Sequence, residues 1–188
     1  MREIRIYPER CMGCRSCAVA CAVAHSRSGT LLGAWAESLR GPGPQARITV
    51  TSDGTVTGLP VLGAQVNVPF NCRHCERPAC VAACMTGAMA KDPETGTVRC
   101  AAERCVGCWM CVQACPFGAV APGNLGTALK CDRCDDRPEG PACVAACPVA
   151  ALRFEDPEEL LRQSRRRTAA ALVQSRAAAQ ASERSVLA

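Results

Sequence analysis

Cys105-Val-Gly-Cys108-Trp-Met-Cys111-Val-Gln-Ala-Cys115-Pro116 sets four cysteines three, three and four residues apart and closes on a proline. The same spacing stands nearer the start, in Cys11-Met-Gly-Cys14-Arg-Ser-Cys17-Ala-Val-Ala-Cys21. Two further quartets, Cys72, Cys75, Cys80 and Cys84, then Cys131, Cys134, Cys143 and Cys147 with Pro148 behind it, keep the opening and closing intervals and widen the middle one. Sixteen of the seventeen cysteines are thereby placed. Four thiolates are what one cubane iron–sulfur cluster requires, so four quartets imply four [4Fe–4S] clusters and chemistry by electron transfer.

Zinc is the first competitor, because cysteine pairs two residues apart also hold structural zinc. Three cysteines at intervals of three, then a fourth before a proline, suit a cube better than one tetrahedral ion. A disulfide framework needs an oxidising compartment, and Met1 leads straight into strand-like Glu3-Ile4-Arg5-Ile6-Tyr7 with no leader in between. A cytoplasmic location is the expectation. No quartet carries a replacement at a ligand position, so each is expected to be complete. Cys100 reads as a small buried apolar residue and not a ligand. His25 and His74 are the only histidines; His74 is expected at the surface. Trp109 and Met12 are expected to shield a cluster from water.

Only 3% of the 188 residues are aromatic, which leaves little for a large core. The clusters must supply much of the stability: even one structural zinc is worth roughly 10–16 kcal/mol of folding free energy. The net charge of +5 collects at the end, in Arg162, Arg165, Arg166, Arg167, Arg176 and Arg184 against Glu183. That tail has no aromatic residue, which argues against nucleic acid, and no apolar run approaches the roughly 18 residues of a membrane span. No phosphate loop, dinucleotide fingerprint or hydrolytic triad is present. Asp135, Asp136, Glu158 and Glu159 read as a solvated turn and a helix cap, so the chain is expected to be no enzyme by itself.

After each of the three later closing cysteines comes a turn and a short apolar stretch, Gly87–Ala90, Gly118–Ala121 and Val149–Phe154, which read as small strands. Val81–Cys84, Val112–Cys115 and Val144–Cys147 read as single helical turns, each presenting its closing cysteine. Between the first two quartets, Arg47–Thr51 and Gln65–Pro69 alternate as strands separated by Gly- and Asp-containing turns, and Gly41-Pro-Gly-Pro44 predicts a loop over 29–46. Asp92-Pro-Glu-Thr-Gly96 turns the chain into a strand at Thr97-Val98-Arg99. From Pro157 the composition predicts one long helix. The organisation expected is α+β: residues 1–156 as two pseudo-symmetric dicluster halves with a β insert over about 22–70, and residues 157–188 as a helical docking tail.

Asn71-Cys-Arg-His-Cys-Glu-Arg-Pro-Ala-Cys80, Cys115-Pro-Phe-Gly118 and Lys130-Cys-Asp-Arg-Cys134 with Pro141-Ala-Cys143 resemble the four-cluster ferredoxin-type electron-transfer subunits. The likeness spans residues 2 to about 155. It implies a crossover in which Cys11, Cys14 and Cys17 share a cluster with Cys147, and Cys131, Cys134 and Cys143 share one with Cys21. Likewise Cys72, Cys75 and Cys80 would join Cys115, and Cys105, Cys108 and Cys111 would join Cys84. Such subunits serve tungsten and molybdenum pterin enzymes, formate dehydrogenases, hydrogenases and carbon monoxide dehydrogenases. With Cys21-Ala-Val-Ala-His25-Ser26, this chain looks most like the small subunits of tungsten aldehyde oxidoreductases and carbon monoxide dehydrogenases. The resemblance implies a catalytic partner of the aldehyde oxidoreductase kind on one side and a flavin subunit, ferredoxin or hydrogenase on the other. A linear relay also admits head-to-tail self-association into a filament. The alternatives are a nickel-enzyme partner, a free polyferredoxin, or a scaffold that stores and donates clusters.

Overall fold

The structure is a computed structural model that describes residues 2–53 and 66–186, with side chains of the last helix described as far as Arg176. Ile4–Phe154 forms one compact unit. Its described strands are short and pair only two by two. β1 (Glu3–Ile6) pairs with β8 (Leu152–Glu155), joining early and late chain. β2 (Thr49–Asp53) lies antiparallel to β3 (Val66–Phe70), with Val50 opposite Pro69. β4 (Met89–Lys91) and β5 (Val98–Cys100) form a hairpin, as do β6 (Val120–Pro122) and β7 (Ala128–Lys130). The first of these hairpins turns at Asp92, whose Oδ1 accepts the N–H of Glu94 at 2.8 Å and of Thr95 at 3.2 Å. Ribbons of three residues are marginal in water, so they depend on what packs against them.

What packs against them is a set of short helices carrying cysteines. α1 (Ser16–Ala24), α3 (Ala79–Ala82), α4 (Met110–Ala114) and α5 (Ala142–Ala145) hold Cys17, Cys80, Cys111 and Cys143, the third cysteine of each quartet, and all four are buried. The closing cysteines differ from expectation. Cys115 caps α4, while Cys84 and Cys147 follow α3 and α5 by two residues. Only Cys21 lies inside a helix, because α1 runs on to Ala24. α1 packs on α5, and α3 on α4. Two small cores result: Cys17, Cys21, Ile48, Val50, Cys143 and Leu152 form one, and Cys80, Met89, Val98, Cys111, Val120 and Ala128 the other.

The stretch expected as a loop over 29–46 contains a helix, α2 (Leu31–Arg40). Thr30 caps it, its Oγ1 accepting the Gly33 N–H at 3.2 Å. Gly41 and Pro42 end that helix; they do not prevent one from forming upstream. β2 starts at Thr49 rather than Arg47, whose N–H is taken by the Cys21 sulfur at 3.2 Å. The turns expected between β2 and β3 lie outside the described residues.

α6 (Pro157–Val186) is the long helix expected from Pro157 onward. Asp156 Oδ1 accepts the Glu158 N–H at 3.0 Å at its start, and Glu158 and Glu159 oppose the positive end of the helix dipole. Glu159 also pairs with Arg162 and accepts from Gln163 at 2.9 Å. Leu161, Leu172 and Val173 are exposed along it. Among the described residues no helix is long and apolar enough to cross a membrane.

Candidate metal centres

Each cysteine loop is bent by backbone in the left-handed region. The second residue between the first two cysteines has positive φ in all four quartets: Gly13 (72°), His74 (48°), Gly107 (67°) and Arg133 (61°). Arg15 (58°) and Trp109 (62°) repeat the bend before the third cysteine of the two evenly spaced runs. Three residues past the closing cysteine, Gly87, Gly118 and Ala150 turn the same way. Such bends point successive N–H groups inward, as an anion requires.

The loops border recesses lined by cysteine and small apolar side chains. Cys105, Cys108 and Cys111 line one with Cys84, Met89 and Trp109. Cys72, Cys75 and Cys80 line another with Cys115, Val98 and Phe117. Cys11, Cys14 and Cys17 line a third with Cys147, Met12 and Leu152. Cys131, Cys134, Cys143 and Cys21 are all buried, and Cys21 adds like-charge repulsion at both Cys134 and Cys143. Met12, expected to shield its recess, is 61% exposed, while Trp109 is half-buried.

Backbone donors reach the sulfurs. Met89 N–H lies 3.3 Å from Cys84 Sγ, Ala119 N–H 3.4 Å from Cys115 Sγ, and Ala151 N–H 3.2 Å from Cys147 Sγ. Each comes from chain just past the closing cysteine. Cys21 has no such neighbour because α1 continues, and Arg47 from before β2 supplies its N–H instead. The Met89 N–H holds the Cys84 thiol below its ordinary value, and the Ala128 N–H does the same at Cys105. Burial pushes the Cys131 thiol up to about 12, with Cys72 adding to the effect across two quartets. Cys100 rises to about 12 as well, through burial and then Cys105 and Cys111 nearby. It faces the Cys105 recess as a fifth cysteine.

Around Cys21 the charged groups interlock. Asp132, between two cysteines, pairs with Arg47, lies 3.2 Å from His25 Nε2 through both oxygens, and accepts the Cys134 N–H at 3.0 Å. Burial works against the charge on His25, but its hydrogen bonds to Asp132 and Cys21 outweigh it and hold the imidazolium to about 10. Asp132 is held well below the usual carboxylate range, its burial outweighed by His25 and Arg47. His25, Asp132 and Cys134 offer ligand atoms within 4.8 Å of one another, yet the carboxylate is already saturated by cations.

His74 is not at the surface. Its Nδ1 accepts the Val98 N–H at 3.0 Å, which leaves the proton on Nε2. Burial lowers its pKa to about 3, with Lys130 and Arg133 adding to the fall. Arg133 is itself buried, donating to Thr97 Oγ1 at 2.9 Å. Two buried donors, His74 Nε2 and Arg47 Nε, have no acceptor among the described residues. Clustered thiols, converging N–H groups and orphaned donors suit an anionic, sulfur-rich group such as a [4Fe–4S] cluster. The reading of sequence missed Arg47, Asp132 and Lys130; the last two stand beside Cys131, where charge in a run of ligands was a signal.

Residues 64–157 match the 4Fe-4S dicluster domain family, and residues 8–24 match a 4Fe-4S binding domain. The chain is 37% identical to the electron transport protein HydN of Escherichia coli (strain K12), over 85% of this chain and 93% of that one. It belongs to the [4Fe–4S] dicluster family of iron–sulfur electron-transfer proteins. Within that family it is also 38% identical to an iron-sulfur protein of Rhodospirillum rubrum, over 79% of each chain. A third member, the thiosulfate reductase electron transfer subunit PhsB of Salmonella typhi, is 35% identical over 78% of this chain and 71% of its own. Family membership makes [4Fe–4S] binding the chemistry of this chain's clustered cysteines.

Proposed function

We propose that the chain is a four-cluster electron-transfer subunit that carries single electrons between a catalytic oxidoreductase subunit and a second redox protein. The four sites would be Cys11, Cys14, Cys17 with Cys147; Cys131, Cys134, Cys143 with Cys21; Cys72, Cys75, Cys80 with Cys115; and Cys105, Cys108, Cys111 with Cys84. A cluster at each site would supply one-electron redox chemistry with no substrate bond made or broken.

The observation that carries this reading is the serial order of the cysteine sets. Cys111 and Cys80 share one core; Cys72 raises Cys131 electrostatically; Cys17 and Cys143 share the other core. The order supported is the Cys105 set, the Cys72 set, the Cys131 set, then the Cys11 set. Cys108 and Cys14, in the two end sets, are the two exposed cysteines of the chain. Exposed Val106 stands beside the first and exposed Met12 beside the second. Both ends thus offer an apolar surface next to a ligand, and an entry and an exit follow.

The catalytic partner we propose is a tungsten or molybdenum pterin aldehyde oxidoreductase, with a flavin subunit or ferredoxin at the other end. Isolation from the native host under anaerobic conditions tests both levels. About sixteen irons and as many sulfides per chain, at four per cluster, support the four sites; about eight would overturn them. A co-purifying tungsten or molybdenum protein with aldehyde oxidation supports the partner, and a nickel protein replaces it.

A further inference from the structure

Lys130 ends β7 directly before Cys131 and is 4% exposed. Its ammonium donates to the Val98 carbonyl and to the Cys131 carbonyl, the latter at 2.8 Å. Among the described residues no carboxylate pairs with it. An ammonium buried without an anion is costly, and carbonyl dipoles compensate only part of that cost. Its position shows where the missing negative charge belongs.

The Val98 peptide joins two different sets physically. Val98 donates its N–H to His74, in the Cys72 loop, and accepts at its carbonyl from Lys130, before Cys131. Val98 is 1% exposed, so water does not screen this bridge. Thr97 beside it accepts from Arg133, on the far side of Cys131.

We propose that Lys130 is a positioned charge that makes the two middle sets of the relay easier to reduce than they would be without it. It sits between the Cys72–Cys75–Cys80–Cys115 set and the Cys131–Cys134–Cys143–Cys21 set, and a fixed positive charge favours the added electron at either one. The inference rests on those sets being cluster sites. Reduction at either set adds one electron, with no bond broken and no proton taken up.

Wild type, Lys130→Met, Lys130→Gln and Lys130→Arg holoproteins are prepared anaerobically and titrated electrochemically with electron paramagnetic resonance detection. Gln keeps a donor for the carbonyls without the charge; Arg keeps the charge. The expected result is that two of four midpoint potentials fall in Met and Gln, while the other two stay and Arg resembles wild type. A tenfold loss in the reduction equilibrium reads as about 59 mV. Unchanged potentials in Gln, an equal shift of all four, or loss of clusters from both neutral variants would each overturn the proposal, the last making Lys130 a structural anchor. Fewer than four titrating clusters in wild type would instead sink the four-site reading.

Discussion

Gly107 shows how tightly a single residue is held by the loop it shapes. Its φ is +67°, and a Cβ there would stand 2.5 Å from the Gly126 carbonyl oxygen. Left-handed backbone alone costs a residue with a side chain roughly 1–2 kcal/mol, and a backbone clash cannot be relieved by a rotamer. Gly118 has φ +60° with nothing near its absent Cβ. Gly107→Val is therefore expected to remove the cluster of the Cys105 set, seen as a fall in iron of about a quarter, one site of four. Gly118→Ala is expected to keep full iron content. Asp132→Ala leaves Arg47 and His25 without their shared carboxylate in a partly buried place, a loss of about 1–3 kcal/mol. Faster bleaching of the visible absorbance by an iron chelator would register it, and a rate equal to wild type would refute it. At this scale the four cysteine quartets were legible because their spacing is local, whereas the partner of Asp132 lies 85 residues away at Arg47.

Among the elements, the single turns α3, α4 and α5 do one job: each buries its third cysteine and hands the chain on to a closing cysteine beyond the helix. That hand-off carries Cys147 to the recess of Cys11, Cys14 and Cys17. Cys147→Ala is therefore expected to cost the cluster of the first quartet and leave that of Cys131, Cys134 and Cys143 in place. Spectral loss of the latter instead would contradict the crossover. The β4–β5 hairpin was legible because its turn, Asp92-Pro-Glu-Thr-Gly96, is local, whereas β7 was not among the strands expected. α2 was not, because Gly41 and Pro42 mark where a helix stops without saying whether one precedes them. Thr30 was its readable cap, with Leu31, Trp35 and Leu39 at helical spacing behind it.

For the whole molecule, the unit Ile4–Phe154 contains all seventeen cysteines, and α6 contains none. We propose that α6, with its exposed leucines and run of arginines, docks a partner. A chain ending at Asp156 is expected to keep its iron content and spectra while losing at least tenfold in affinity for the co-purified catalytic protein, measured by calorimetry or surface binding. Equal affinity would make the helix a solvated appendage. The type of cluster could be read from spacing alone, but which cysteine sets stand side by side could not.

The sequence by itself determined the cysteine quartets, the turn of the β4–β5 hairpin and the final helix, since each depends on residues within a few positions of one another. Only the tertiary structure decided that Cys21 takes its N–H from Arg47, that His74 turns inward to Val98, and that Lys130 is buried between two cysteine sets. These contacts join residues 24 to 32 positions apart. Lys130 meets Val98 because β7 packs beside β5, a tertiary contact that no local pattern encodes.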